Sequence, residues 1–472
     1  MRNTLLVLVL LIAAPAFAGT YELVIEGGRV MDPETGLDAV RNVGIARGKV
    51  VRIAAEALAG TRVLHAQGLV VTPGFIDLHQ HAQDLDSGRL KAFDGVTTAL
   101  EMEIGVPDVA SFLNSKRGHS YINFGSSASH VAARAAVFGK PLPNGEILPQ
   151  AGASTNDPAS EAQLKGIEER LRREIDAGAL GVGMGIEYTP GASHEEVIRV
   201  FRVAADRNVP VFTHVRGANL VDPNSGIESV EEVIGAAAVT GASLHIVHIN
   251  SMCTKQSLTC LAMVAGARAR GLDVTTEAYP YGVAMTYVNS AAFNPGWREA
   301  QGLEYGDLAL PDTGERLTQE RFDALHASSE PQLVLMYLNS EATVDAIMPN
   351  PLVIVASDGG PGHPRNAGTY SRVLSRYVRQ LSTLTLMDAL RKMSLMPAER
   401  MEKATAGARV KGRLQEGADA DVVVFDPKTI VDRATYKSPR EASSGMRYVI
   451  VGGAVLIDQG KLVPDVYPGK AL

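Results

Sequence analysis

Residues 74–84 read GFIDLHQHAQD. An apolar run, Phe75 to Leu78, carries into His79 and His81, one residue apart. In a strand, residues two apart share a face, so both imidazoles point the same way. Asp77 has the same parity one layer deeper, which assigns it to supporting hydrogen bonds rather than to a ligand role. The meaning of the pair depends on what the rest of the chain places beside it.

Outward from this stretch, apolar strand-like runs alternate with helical ones. The strand candidates are FIDLHQH, VTTALEME, YINFGSSASH, GALGVGMGIEY, VPVFTHVRG, SLHIVHINS, LDVTTEAYPYG and PLVIVASDGG. Amphipathic stretches such as SEAQLKGIEERLRREIDAG and HEEVIRVFRVAADRN separate them. Eight strands alternating with helices predict an α/β fold, a (β/α)8 TIM barrel, over residues 73–408. Residues 283–350 break the rhythm and read as an insertion before the last strand, a lid over the site. The segments 19–72 and 409–472 are short, Gly-punctuated strands (YELVIEGGRVMD and DADVVVFD among them) and predict a small β-sandwich domain built from both chain ends.

The formal charge of −7 and the lack of a basic run argue against nucleic acid as a partner. MRNTLLVLVLLIAAPAFAGT carries Arg2, a short apolar stretch and an Ala16-Phe17-Ala18 site. This is the pattern of a cleaved signal peptide, residues 1–18, and predicts a secreted or periplasmic protein with no membrane span after cleavage. Cys253 and Cys260 lie in a helix-like segment. Seven residues of helix separate Cα atoms by about 10 Å, too far for a disulfide, so both are expected as free buried thiols.

In a barrel of this kind the chemistry sits at the C-terminal ends of the strands. There the chain offers His79 and His81 after strand 1, Glu101 and Glu103 after strand 2, His130 after strand 3 and Tyr188 after strand 4. His214 follows strand 5, His248 strand 6 and Asp358 strand 8. His245 and His248 have opposite parity, and His248, at the strand end, is the one expected to face the axis. Imidazoles and carboxylates converging on one mouth suit a divalent transition metal. Such an ion supplies a water deprotonated near neutral pH and polarises a carbonyl. Asp358 is placed to carry the proton to a leaving amine.

GFIDLHQH, the single histidines after strands 5 and 6, SDGG after strand 8 and the split terminal β segments together resemble the amidohydrolase superfamily. Within it, GVTTALEMEIG, GIEYTPGA, GTYSRVL, RKMSLMPAERM and GADADVVVFDP are similar to the D-aminoacylase group, the N-acyl-D-amino-acid deacylases. The resemblance implies hydrolysis of an N-acyl-D-amino acid at one or two divalent ions, zinc by default. The ligands would be His79, His81, His214, His248 and Asp358, with Tyr188 or His130 steadying the oxyanion. LEMEIG and HINS resemble the D-glutamate deacylase-like branch, so N-acyl-D-glutamate is the sub-hypothesis.

Two departures stand out. The group carries a ligating Cys after strand 2, where this chain has Glu103; Glu103 is expected to replace it and bridge two ions, with Glu101 as the fallback. The group places a Lys shortly after the strand-6 histidine, where this chain has Asn250, with Lys255 further on. Arg216, Asn250, Tyr188, Lys255, Tyr281 and Arg372 are then the candidates for contacts to a substrate carboxylate. Hydrolysis of a cyclic amide, dipeptide or lactone on the same core is the alternative, and a non-catalytic secreted binding protein is the alternative of another class.

Overall fold

The computed structural model describes residues 20–142, 147–149, 152–222, 225–328 and 330–472. The signal-like segment 1–18 lies outside them. β1 (Tyr21–Asp32), β2 (Leu37–Ala46), β3 (Lys49–Ala54), β4 (Gly60–His65) and β5 (Val70–Pro73) open the chain. The parallel strands follow: β6 (Phe75–Asp77), β7 (Val96–Val106), β8 (Asn123–Ser129), β9 (Val182–Gly185), β10 (Val211–His214), β11 (Leu244–Ile246) and β12 (Val274–Ala278). β13 (Val283–Tyr287), β14 (Leu308–Ala309) and β15 (Leu333–Tyr337) come next, then β16 (Val353–Val355). β17 (Val422–Phe425), β18 (Met446–Val451), β19 (Ala454–Asp458) and β20 (Lys461–Leu462) end it.

Strands β6 to β12 and β16 form a parallel sheet in chain order, β6 at one edge and β16 at the other. The edges meet beyond the strand ends: Gln80 bridges Gly359, His81 N–H donates to Gly359 O, and Gly359 N–H donates to His79 O. This nearly closed barrel is the predicted architecture. Its helices start where the sequence caps them. Ser160 and Gln163 form a capping box at Glu161–Asp176, and Ser193 caps His194–Asp206. Ile76, Leu78, Leu100, Met102, Phe212, Val247 and Ile354 pack together as one buried cluster.

The two chain ends form one mixed sheet, with β17 pairing β5 and β5 pairing β1. It closes over Ile25, Val43, Ile45, Val50, Val422, Val424 and Ile450. The insertion is a folded unit with its own three-stranded sheet, β13-β15-β14, and a core of Phe293, Trp297, Leu308, Phe322 and Val334. Among the described residues, no helix is long and apolar enough to cross a membrane.

One expectation needs correcting. Cys253 and Cys260 form a disulfide, with Cα atoms 6.6 Å apart. The segment is not one helix: a turn of helix ends at Met252, a 3-10 turn follows at Thr254–Gln256 with Thr254 at φ +40°, and the next α-helix starts at Ser257. The break shortens the span that a continuous helix would impose. Asp77 lies below the histidines and makes supporting hydrogen bonds, as expected, one of them accepted from His79 N–H. Its carboxylate meets Lys91 Nζ at 2.8 Å, on the helix Leu85–Phe93, and accepts from Ser357 Oγ at 2.6 Å. β6 ends at Asp77, and the histidines follow where the chain bends over the mouth.

Candidate metal centre and active site

The floor of the barrel mouth gathers His79, His81, Glu103 and Asp358 into one donor group and Glu103, His214 and His248 into another. Glu103 belongs to both. Its Oε2 lies 3.1 Å from His79 Nε2 and 3.1 Å from His81 Nε2. Its Oε1 lies 2.6 Å from His214 Nδ1 and 2.7 Å from His248 Nε2. Asp358 Oδ1 completes the first group, 3.5 Å from His79 Nε2 and 3.3 Å from His81 Nε2. These spacings suit an ion bonded at ~2.0–2.1 Å to each donor. Imidazole nitrogen with carboxylate oxygen is also the donor chemistry of zinc, so the residues fit the group they are expected to hold.

The backbone presents these groups by unusual local geometry. Gly105 takes φ +73°, turning the chain so that the Ile104 and Gly105 N–H groups donate to Glu101 Oε1. A Cβ on Gly183 would sit 2.6 Å from Glu103 O, so only glycine lets β9 run so close behind the shared carboxylate. His248 has φ +23° and Asp358 φ +50°, conformations that cost free energy and recur where function demands a side chain's aim.

Three further carboxylates orient the imidazoles. Glu277 Oε1 is 2.6 Å from His79 Nδ1, Glu101 Oε2 is 2.8 Å from His81 Nδ1, and Glu187 Oε2 is 2.7 Å from His214 Nε2. Such partners fix the ring and its tautomer. Glu101 therefore stands behind a histidine, and Glu103 is the strand-2 carboxylate at the centre. His245 Nε2 meets Glu277 Oε2 at 3.0 Å and its Nδ1 meets Thr275 Oγ1 at 2.7 Å. So His245 also faces the interior, one layer down. The parity rule fails because His248 lies beyond the end of β11.

Electrostatics ties the cluster together. Burial works against the charged form of His79, yet Glu103, Asp358 and Glu277 outweigh it and hold the imidazole well above its ordinary range. His214 is pushed to about 9, burial again being overcome by Glu103 and Glu187. Burial alone would raise the Glu103 carboxyl; His79, His214 and His248 hold it well below the usual carboxylate range. The site is thus built for positive charge around Glu103.

Above the floor lies a cleft of about 870 Å³, its open mouth included. His81, Glu103, His214, His248 and Asp358 line its base, and Tyr188 its side. Thr286 Oγ1, from the insertion, donates to Tyr188 Oη at 3.2 Å, and the Tyr188 ring lies 4.7 Å from that of His214. Burial, then Glu103 and Glu187, hold the phenol well above its ordinary range, so it stays a proton donor.

Sequence reasoning missed Arg365. It is buried, its Nη2 lies 2.8 Å from Asp358 Oδ2, and its guanidinium carbon stands 4.7 Å from the Tyr279 ring centroid. Nε and Nη1 have no hydrogen-bond partner. The signal was present as His363-Pro364-Arg365 just after SDGG, and in Glu277 and Glu187 at the ends of TTE and GIE.

Six of the residues predicted for the oxyanion or the substrate do not line the cleft. His130 begins a helix rather than ending a strand, and its Nε2 is 2.8 Å from Glu196 Oε1 beside Arg134. Arg216 pairs with Glu232 and donates to Pro190 O and Ala192 O in a separate surface cleft. Asn250 donates to Tyr279 O. Arg372 lies over the Tyr281 ring, donating to Pro280 O and pairing with Glu341, while Tyr281 packs on His363. Each was placed near the site by sequence distance, but its side chain points into a neighbouring layer. Lys255 is exposed.

The amidohydrolase family model matches residues 132–457. N-acyl-D-glutamate deacylase of Alcaligenes xylosoxydans xylosoxydans is 32% identical, with 96% of each chain covered. This chain belongs to the amidohydrolase family. Its place is in the D-aminoacylase group: D-aminoacylase of the same organism is 27% identical over 92% of this chain and 94% of that one. The crystal structure of N-acyl-D-glutamate deacylase from Bordetella bronchiseptica, complexed with zinc and a phosphonate inhibitor, superposes with a TM-score of 0.81. It is 26% identical and the match covers 96% of this chain and all of that one. The protein is a metal-dependent amidohydrolase of that group, a hydrolase acting on carbon–nitrogen bonds.

Proposed function

We propose that this amidohydrolase cleaves the amide bond of N-acyl-D-amino acids, with one or two zinc ions held by His79, His81, Glu103, His214, His248 and Asp358. The observation that carries the reading is a floor of shared donors beside a buried cation, Arg365, which lines the cleft and has N–H groups without a partner. When bound, a divalent ion lowers the pKa of water and polarises the acyl carbonyl.

The chain's own groups divide the remaining work. Arg365, with Nε and Nη1 unpartnered, is the cation in the cleft lining that offers charge and a donor to the substrate's α-carboxylate. Tyr188 accepts from Thr286, which leaves its own O–H free to donate to the carbonyl oxygen as negative charge develops there. Asp358 takes a proton from the attacking water. Water oxygen bonds to the acyl carbon, the C–N bond breaks, and Asp358 returns the proton to the amine nitrogen. Arg365 on Oδ2 steadies the carboxylate form in which Asp358 starts the cycle.

Rates on N-acetyl-D- and N-acetyl-L-amino acids, a hydantoin and a lactone test the reading, alongside metal analysis. Selective hydrolysis of the D-derivatives is expected. Equal rates on both enantiomers, or none on any, would overturn it. We also propose export, supported by the A-x-A pattern at residues 16–18 and by the Cys253–Cys260 disulfide, which suits an oxidising compartment. Protein recovered from the periplasm or medium should begin near Gly19; an intact Met1 in the cytosol refutes export.

A further inference from the structure

The cleft is short of positive charge. Arg365 is the one Lys or Arg among its described lining residues. The internal stretches outside the description (143–146, 150–151, 223–224 and 329) contain neither Lys nor Arg. The insertion over the cleft, 283–350, has no Lys, and its three arginines are engaged elsewhere. Arg298 pairs with Glu304, Arg321 with Glu315, and Arg316 donates to Gly306 O over the Tyr337 ring. Arg216 and Arg372 are held by Glu232 and Glu341. Position 250 is an asparagine whose amide is spent on Tyr279 O.

What the wall presents instead is largely apolar. Met252, Ala284, Met285, Met336 and Leu338 line it. Gln301 also lines it, donates its amide to Ala292 O and leaves Oε1 without a partner. Glu187 adds a carboxylate near the floor. The Ser251 and Thr286 hydroxyls in the lining donate to His248 O and Tyr188 Oη, so a second substrate carboxylate here would lose its water and meet no cation, a large unfavourable term. Arg365 already holds Asp358 through Nη2 and is the single cation of the described lining, so it serves one substrate carboxylate.

We propose that the substrate's side chain and acyl group are both uncharged and apolar, as in N-acyl derivatives of D-methionine or D-leucine. Acidic D-amino acids are then poor substrates. This separates the chain from the relative named for D-glutamate, and it rests on the deacylase reading, with the α-carboxylate on Arg365.

The test is kcat/KM of the metal-loaded full chain on N-acetyl-D-methionine, -D-leucine, -D-glutamate and -D-aspartate. The apolar pair is expected to exceed the acidic pair by about 100-fold or more, since an unpaired buried carboxylate is penalised that strongly. Equal or higher rates on N-acetyl-D-glutamate overturn this inference and leave the deacylase reading standing. No hydrolysis of any D-derivative overturns both. Met285, half-buried in the wall, offers a second arm. Met285→Lys should raise the glutamate-to-methionine ratio about tenfold by supplying the missing cation. An unchanged ratio in folded Met285→Lys overturns the assignment of that wall to the side chain.

Discussion

At the floor of the cleft, His79, His81, His214 and His248 share one carboxylate, Glu103, and three of them are held from behind by Glu101, Glu187 and Glu277. Along the wall, Met252, Met285, Met336 and Leu338 come from a helical turn and the insertion and carry no charge. On the floor every buried ionisable group has a partner of opposite sign, because an unpaired one would be costly. On the wall burial is achieved by having nothing to pair. The floor specifies chemistry and the wall specifies which molecule reaches it, so the two can be perturbed separately.

The largest effect should come from Glu103→Ala, which removes an oxygen from both donor groups at once. Metal content should fall sharply and kcat/KM by about 10³-fold or more, given that an ion supplies several kcal/mol. Full metal retention would break the contrast, since the floor would not then depend on its shared acid. Asp358→Asn should lower kcat by about 10²–10⁴-fold, the scale of a lost proton carrier. Its metal content should fall far less than in Glu103→Ala, because Glu103 still spans both groups.

Tyr188 sits where floor and wall meet. Tyr188→Phe should lower kcat by about 10²-fold with little change in metal content. A rise in KM alone would move Tyr188 from the chemistry to the wall. Glu277→Gln reaches the floor only through His79, and should weaken metal affinity by about 10–100-fold, read by chelator competition.

The smallest effect lies outside the cleft and sharpens the rule by its exception. Lys392 is buried with its ammonium on Asn350 O and Val353 O, with no carboxylate in contact. Burial lowers it to about 7 from 10.5, with Asp388 opposing. Between those values the unfolded chain holds a proton that the folded chain does not, so stability rises with pH from about 7 to 10.5. Urea midpoints across that window should climb in the parent and flatten in Lys392→Met. A rise of equal size in the variant would clear Lys392 of the effect.

Much of this was legible along the chain. The eight strand candidates are the eight barrel strands, because each apolar run is short, bounded by turn residues and separated by an amphipathic stretch. Histidines and carboxylates at their ends stood out because an apolar run has little reason to finish in one. His130 shows the limit. It too follows a strand, but the helix begins at that residue and turns the ring to Glu196, which lies 66 positions away.

The amino-acid sequence by itself determined the barrel, the split terminal sheet and the donors at the mouth, since local periodicity and strand ends address those positions directly. Tertiary structure alone decided the rest. Glu277 behind His79 is 198 residues distant, and Glu103 against His248 is 145. Arg365, not Arg216 or Arg372, reaches Asp358, and a broken helix joins Cys253 to Cys260. Such pairings are chosen by barrel closure and by which layer a side chain enters. Neither has a signature in the spacing of residues along the chain.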